Sequence, residues 1–108
     1  MINYEQFQQI DLSTATILAA ERVEGSEKLL CLRVSLGEGE GERQILAGIG
    51  KRYAPEELVG RQIIIVANLE PRMLMGFKSQ GMLLATDSPD GPVLLMPDHE
   101  VPPGTHIK

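Results

Sequence analysis

Eleven glycines and seven prolines in a chain of 108 residues limit the fold more tightly than any other feature. Both residues interrupt helices, glycine through its backbone entropy and proline through its missing N–H. A chain interrupted this often cannot be a helical bundle, and the interruptions read as punctuation between short strands. Between them, Leu30, Leu32, Val34 and Leu36 alternate with Cys31, Arg33 and Ser35. That period of two predicts a strand with one dry and one wet face, and it points Cys31 outward. Residues 62–68 carry Ile63, Ile64, Ile65 and Val66 in one β-branched run, the pattern of a strand covered on both faces. Further strands are expected over residues 14–23, 43–49, 79–86 and 93–96.

Two helices are expected. Residues 4–9 form one short turn anchored by Phe7 and Ile10. Pro55–Leu58 has proline at the first helical position, acids in the first turn and Gly60 just beyond the end, a complete set of start and stop signals. Residues 37–42 alternate glycine with glutamate as a hairpin loop, and residues 101–108 form an extended, proline-stiffened tail. Three strands, a short helix and two more strands is the order of an OB-fold, a five-stranded Greek-key barrel that is all-β apart from the helix between strands 3 and 4. Small N- and C-terminal additions flank it. An SH3-like barrel does not explain a helix at that place.

Several function classes fall away. No apolar run approaches the length of a membrane span, and with no basic-then-apolar stretch ending in a cleavage site, no secretory signal is expected. One cysteine, Cys31, excludes an internal disulfide and a cysteine-based zinc site, so a reducing cytoplasm is the expected compartment. The only histidines, His99 and His106, lie in the tail, with no spacing that suggests a triad. Gly48-Ile49-Gly50-Lys51-Arg52 echoes a phosphate loop but lacks its spacer and its Ser/Thr. The net charge is −5, yet residues 43–78 hold six basic side chains against three acids. That segment is +3 and the remainder −8, so a local positive field sits on an acidic molecule. Residues 68–82 are the informative stretch. There Asn68, Arg72 and Lys78 flank methionines in a glycine-broken segment. Two readings stand side by side: Met73, Leu74 and Met75 plug the barrel end, or Arg72 and Lys78 meet phosphates beside an apolar pad.

Four motifs carry a family resemblance: Arg43-Gln44-Ile45-Leu46-Ala47-Gly48-Ile49, Tyr53-Ala54-Pro55-Glu56-Glu57-Leu58-Val59-Gly60, Val66-Ala67-Asn68-Leu69-Glu70-Pro71-Arg72, and Gly76-Phe77-Lys78-Ser79-Gln80-Gly81-Met82-Leu83-Leu84-Ala85. The chain resembles the tRNA-binding domain found at the C-terminus of methionyl-tRNA synthetase and as free-standing dimeric tRNA-binding proteins. The resemblance makes residues 1–108 a single OB-fold domain. It implies a non-catalytic module that recognises tRNA by shape and backbone and aids aminoacylation, with Lys28, Asn68, Arg72, Lys78, Ser79 and Met82 on the RNA face. It implies a homodimer joined through residues 1–10 and 89–108, partnership with a synthetase catalytic domain, and no cofactor, metal, DNA or membrane contact. Asp11-Leu12-Ser13-Thr14-Ala15 departs from the family's usual Asp-Leu-Arg-Val-Gly, so one basic residue is missing. The alternative is a protein-binding, export-chaperone-like dimer on the same fold.

Overall fold

The computed structural model describes all 108 residues. Helix α1 (Tyr4–Gln8) is held by a reciprocal cap, in which Gln6 N–H donates to the Asn3 side chain and Asn3 N–H donates to the Gln6 side chain, each at 2.9 Å. Five residues are too few to bury a face. Phe7 is only half-buried and Ile10 is exposed, so neither is the core anchor that their apolar character suggested.

Strands β1 (Leu12–Arg22), β2 (Leu30–Ser35), β3 (Glu42–Ala47) and β4 (Gln62–Val66) form the main sheet, with helix α2 (Pro55–Leu58) between β3 and β4. Strand β1 is central. Its first half pairs antiparallel with β4, its second half with β2, and the register slips between Ile17 and Ala19. The extra residue, Leu18, makes a bulge that bends β1 and curls the sheet. Strands β5 (Arg72–Leu74) and β6 (Phe77–Ser79) form a hairpin. Then β7 (Met82–Leu83) joins β4, while β8 (Ala85–Ser88) and β9 (Gly91–Leu94) pair with each other. Strand β10 (His106–Ile107) adds to β1, giving the order β3-β2-β1-β4-β7 with β10 alongside β1.

The result is a nearly closed, barrel-like sheet of OB type. Ile17, Leu30, Leu32, Val34, Ile45, Ile63 and Ile65 fill it, and Leu58 of α2 packs in the same core. The strand expected over residues 79–86 is divided among β6, β7 and β8. Gly81 breaks it, sitting at φ +145° where a Cβ would stand 3.0 Å from the Val66 carbonyl oxygen. The tail is more than extended chain. Thr14 Oγ1 donates to the Pro102 carbonyl and accepts from Thr105 N–H, and the Gln62 amide donates to the Val101 carbonyl and accepts from Val101 N–H. Both clamping side chains are buried in the sheet, so their polar groups need these partners.

Cys31 points outward as expected but is not wet. It lies on the outer face of β2 but is covered there, packed with Val23 and Leu46 against the half-buried Leu29 and Leu74. Leu29 of the β1–β2 loop and Leu74 of the β5–β6 hairpin close over this cluster, a second layer that alternation within β2 does not reveal. Burial pushes the Cys31 thiol above its ordinary pKa, and the Glu21 carboxylate adds to the effect.

Candidate nucleic-acid interface

The β5–β6 hairpin organises the candidate site. Its strands pair Arg72 with Ser79, Met73 with Lys78 and Leu74 with Phe77. Directly opposed residues share a face of an antiparallel ladder. Leu74 and Ser79 therefore face the barrel, and Met73 and Lys78 face solvent, where both are exposed. The two-residue connection Met75–Gly76 has positive φ at both positions, 52° and 84°, the geometry of a tight hairpin turn. It drives the half-exposed Met75 side chain toward the β1–β2 loop, with its Cε 3.4 Å from the Cβ position of Gly25.

The hairpin is tied to β3 largely by side chains, which close the barrel seam where the regular ladder ends. Leu46 N–H donates to Ser79 Oγ at 3.0 Å, and Ser79 Oγ donates to the Gly81 carbonyl at 3.1 Å. Gln44 N–H donates to the Gln80 side chain, Gln80 N–H donates to the Gln44 carbonyl, and the Gln44 amide donates to the Lys78 carbonyl. The Arg43 guanidinium reaches the Ala67 and Gln80 carbonyls.

The six residues expected on the RNA face thus fall into distinct groups. Arg72, Ser79 and Met82 line one shallow cleft with Leu46, Leu69, Glu70, Leu74 and Gly81. Its volume of about 80 Å³ is far below the ~300–1,000 Å³ of a small-molecule pocket. Lys78 stands beside it on the outer face of the hairpin. Arg72 and Lys78 form no ion pair and donate no side-chain hydrogen bond within the chain, and Met82 is exposed. Ser79, by contrast, is 5% exposed and its hydroxyl proton is committed. Asn68 is exposed, but its side chain donates to the Gln9 carbonyl and accepts from Asp11 N–H, tying the N-terminal segment to the end of β4. Lys28 lies apart, in the β1–β2 loop beside residues 48–51, where its carbonyl accepts from Gly50 N–H.

Of the other cations in the positive segment, Arg52 donates to the Asp90 carbonyl, Arg61 lies over the Tyr53 ring at 5.6 Å, and Lys51 has a loose contact with Glu27 at 3.7 Å. Ser13, where the resemblance leads one to look for an arginine, is buried on β1 between its neighbours β4 and β10. Two features of the face escaped the sequence reading: the apolar exposure of Leu69 and Phe77, and the side-chain closure of the seam. Gly76, the second residue of the turn, was the one signal for a chain reversal there. No helix is long and apolar enough to cross a membrane.

The family model described as "Putative tRNA binding domain" matches residues 12–106. A methionine–tRNA ligase of Methanothrix thermoacetophila is 55% identical over 108 residues, covering 100% of this chain and 16% of that protein. A methionine–tRNA ligase of Thermotoga maritima is 50% identical over 106 residues, covering 98% of this chain and again 16% of the ligase. The chain therefore spans only a small part of the curated relatives it matches. Among solved structures, chaperone CsaA from Bacillus anthracis superimposes with a TM-score of 0.91 at 39% identity, covering 100% of this chain and 99% of that one. A MetRS-related protein from Pyrococcus horikoshii gives 0.91 at 33% identity, covering 100% and 98%. With the barrel, the hairpin and the matched motifs in agreement, the chain belongs to the tRNA-binding-domain family shared by methionine–tRNA ligases and free-standing MetRS-related and CsaA proteins.

Proposed function

We propose that this domain holds tRNA without acting on it, through the β5–β6 hairpin, with Arg72 and Met82 at its cleft and Lys78 on its outer face, together with Lys28 in the β1–β2 loop. One observation carries the reading: two cations with no partner in the chain stand beside exposed apolar side chains on a rigidly tied hairpin. The cations neutralise phosphates, Arg72 with up to two parallel hydrogen bonds, and Met82 supplies an adaptable apolar contact. Asn68 and Ser79 serve the face by holding its frame, with Ser79 fixing the hairpin to β3 and Asn68 fixing the start of β1 to the end of β4. A surface with no deep pocket suits recognition of folded RNA by shape, backbone and 2′-OH groups.

Tethered to or associated with a methionine–tRNA ligase catalytic domain in the cytoplasm, the module raises the effective concentration of tRNA at that domain and so aids aminoacylation. The working form is a homodimer joined through residues 1–10 and 89–108, where Ile2, Tyr4, Leu95 and Met96 leave large apolar side chains exposed.

A gel-shift with bulk tRNA, single-stranded RNA and duplex DNA tests the reading. The domain is expected to retard tRNA at lower protein concentration than either competitor, and the retardation is expected to weaken with salt. Equal retardation of all three, or none, contradicts it. Salt-insensitive capture of an unfolded polypeptide without tRNA binding favours the chaperone-like alternative.

A further inference from the structure

A second cationic cleft lies away from the hairpin, between the loop that joins β3 to α2 and the β8–β9 turn. Lys28, Lys51 and Arg52 stand around it, with backbone at Gly48 and Gly91, and its volume is about 260 Å³. The cleft is built rather than incidental. Gly50 N–H donates to the Lys28 carbonyl at 2.7 Å, and Arg22 Nη1 donates to the Gly50 carbonyl at 2.8 Å, so the loop is pinned from both sides. Arg52 spends one N–H on the Asp90 carbonyl at 2.9 Å, which fixes the guanidinium and leaves its other donors free. The Lys28 stem passes Gly48, its Cδ 3.8 Å from the Cβ position. Two acids stand close by, Asp90 in the cleft wall and Glu27. Glu27 meets Lys51 at 3.7 Å with both side chains more than two-thirds exposed, a contact of little strength in water.

The β1–β2 loop lies between the cleft and the hairpin tip. The Met75 side chain at the hairpin tip reaches toward Gly25 of the β1–β2 loop, where a Cβ on residue 25 would stand 3.4 Å from its Cε, and three residues on in that loop Lys28 forms the near wall of the cleft. Cations thus stand at the hairpin, Lys78 and Arg72, in the β1–β2 loop, Lys28, and in the cleft beyond it, Lys51 and Arg52. A polyanion whose charges repeat along a backbone fits such an arrangement, whereas a single small anion needs one end only.

We propose that this second cleft takes a backbone phosphate of the same tRNA, with Lys51 and Arg52 as further RNA-binding residues that extend the face across the β1–β2 loop. The proposal rests on the tRNA-binding reading above. Each phosphate neutralised releases counterions and adds about 0.7–0.9 to the slope of log affinity against log salt.

The test is a salt titration of bulk tRNA affinity for the unaltered domain, Lys51→Gln, Glu27→Gln and Lys78→Gln. All three side chains are exposed, and circular dichroism checks that each variant folds. Lys51→Gln is expected to lower the slope by roughly 0.7–0.9 and, extrapolating that slope from 1 M salt, to weaken binding about four- to fivefold at 0.15 M. Glu27→Gln, which frees Lys51 and removes a repelling charge, is expected to tighten binding. If Lys78→Gln lowers the slope and Lys51→Gln does not, the second cleft is overturned and the hairpin face survives. If Lys51→Gln lowers it and Lys78→Gln does not, the cleft stands and the hairpin assignment fails. Absence of tRNA binding by the unaltered domain overturns both.

Discussion

Ser79 ties the β5–β6 hairpin to β3. Its hydroxyl satisfies the buried Leu46 N–H and in turn donates to Gly81. Replacing it with alanine leaves that N–H without a partner, at a cost of about 1–3 kcal/mol. Urea unfolding of Ser79→Ala is expected to show that loss, and unchanged stability would contradict the seam described here. Cys31 gives a second expectation at this scale. Packed in the cluster with Val23 and Leu46 and with its thiol pKa raised by burial, it is expected to react with thiol reagents far more slowly than free cysteine at neutral pH. Fast, complete labelling of the folded domain would mean that the cluster around Cys31 is open to solvent. At both positions the sequence was ambiguous for one reason: a side chain's neighbours across the seam lie more than thirty residues away. The exposure of Arg72 and Lys78 was legible because an unpaired long cation has few places to go except solvent. Ser79 and Asn68 were legible as polar and important, but not as already bonded.

At the scale of elements, the strong signals were local. The alternation in β2, the β-branched run of β4 and the proline-and-acid start of α2 each named an element that is present. The β5–β6 hairpin was not legible, because strands of three residues carry no periodicity and its turn has a methionine where Asn or Gly is usual. Strand β10 was read only as extended chain, since its partner is at the other end of the sequence. Met75 holds φ 52° without being glycine, a conformation that costs roughly 1–2 kcal/mol for most side chains. Asparagine before Gly76 is the preferred pair for this turn. Thermal unfolding of Met75→Asn is therefore expected to show a domain up to about 1 kcal/mol more stable. A less stable variant would mean that the Met75 contact with the β1–β2 loop outweighs the strain.

At the scale of the whole molecule, a chain of net charge −5 keeps its excess of cations within residues 43–78. Folding brings Lys28 to the edge of that segment. The terminal additions carry apolar side chains that the barrel does not use, among them the exposed Leu95 and Met96. Light scattering at micromolar concentration is expected to give about twice the chain mass of 11.8 kDa, and a clean monomer would remove the dimer. Such a dimer doubles the binding face, and the acidic remainder disfavours RNA elsewhere.

The direct measurement is the affinity of bulk tRNA for the unaltered domain and for Lys78→Glu, at one fixed salt concentration. Glu38→Lys serves as the control, since it adds a cation in the exposed β2–β3 loop, at the opposite end of the β2–β3 ladder from the Lys28 loop. Lys78→Glu removes one phosphate contact and places a repelling charge on the hairpin, so binding is expected to weaken about fivefold or more, while Glu38→Lys leaves it within twofold on the order expected for a charge beyond the ~8 Å screening length. If Lys78→Glu binds tRNA as tightly as the unaltered domain, or if Glu38→Lys shifts the affinity as much as Lys78→Glu does, the hairpin face is not where this domain meets RNA.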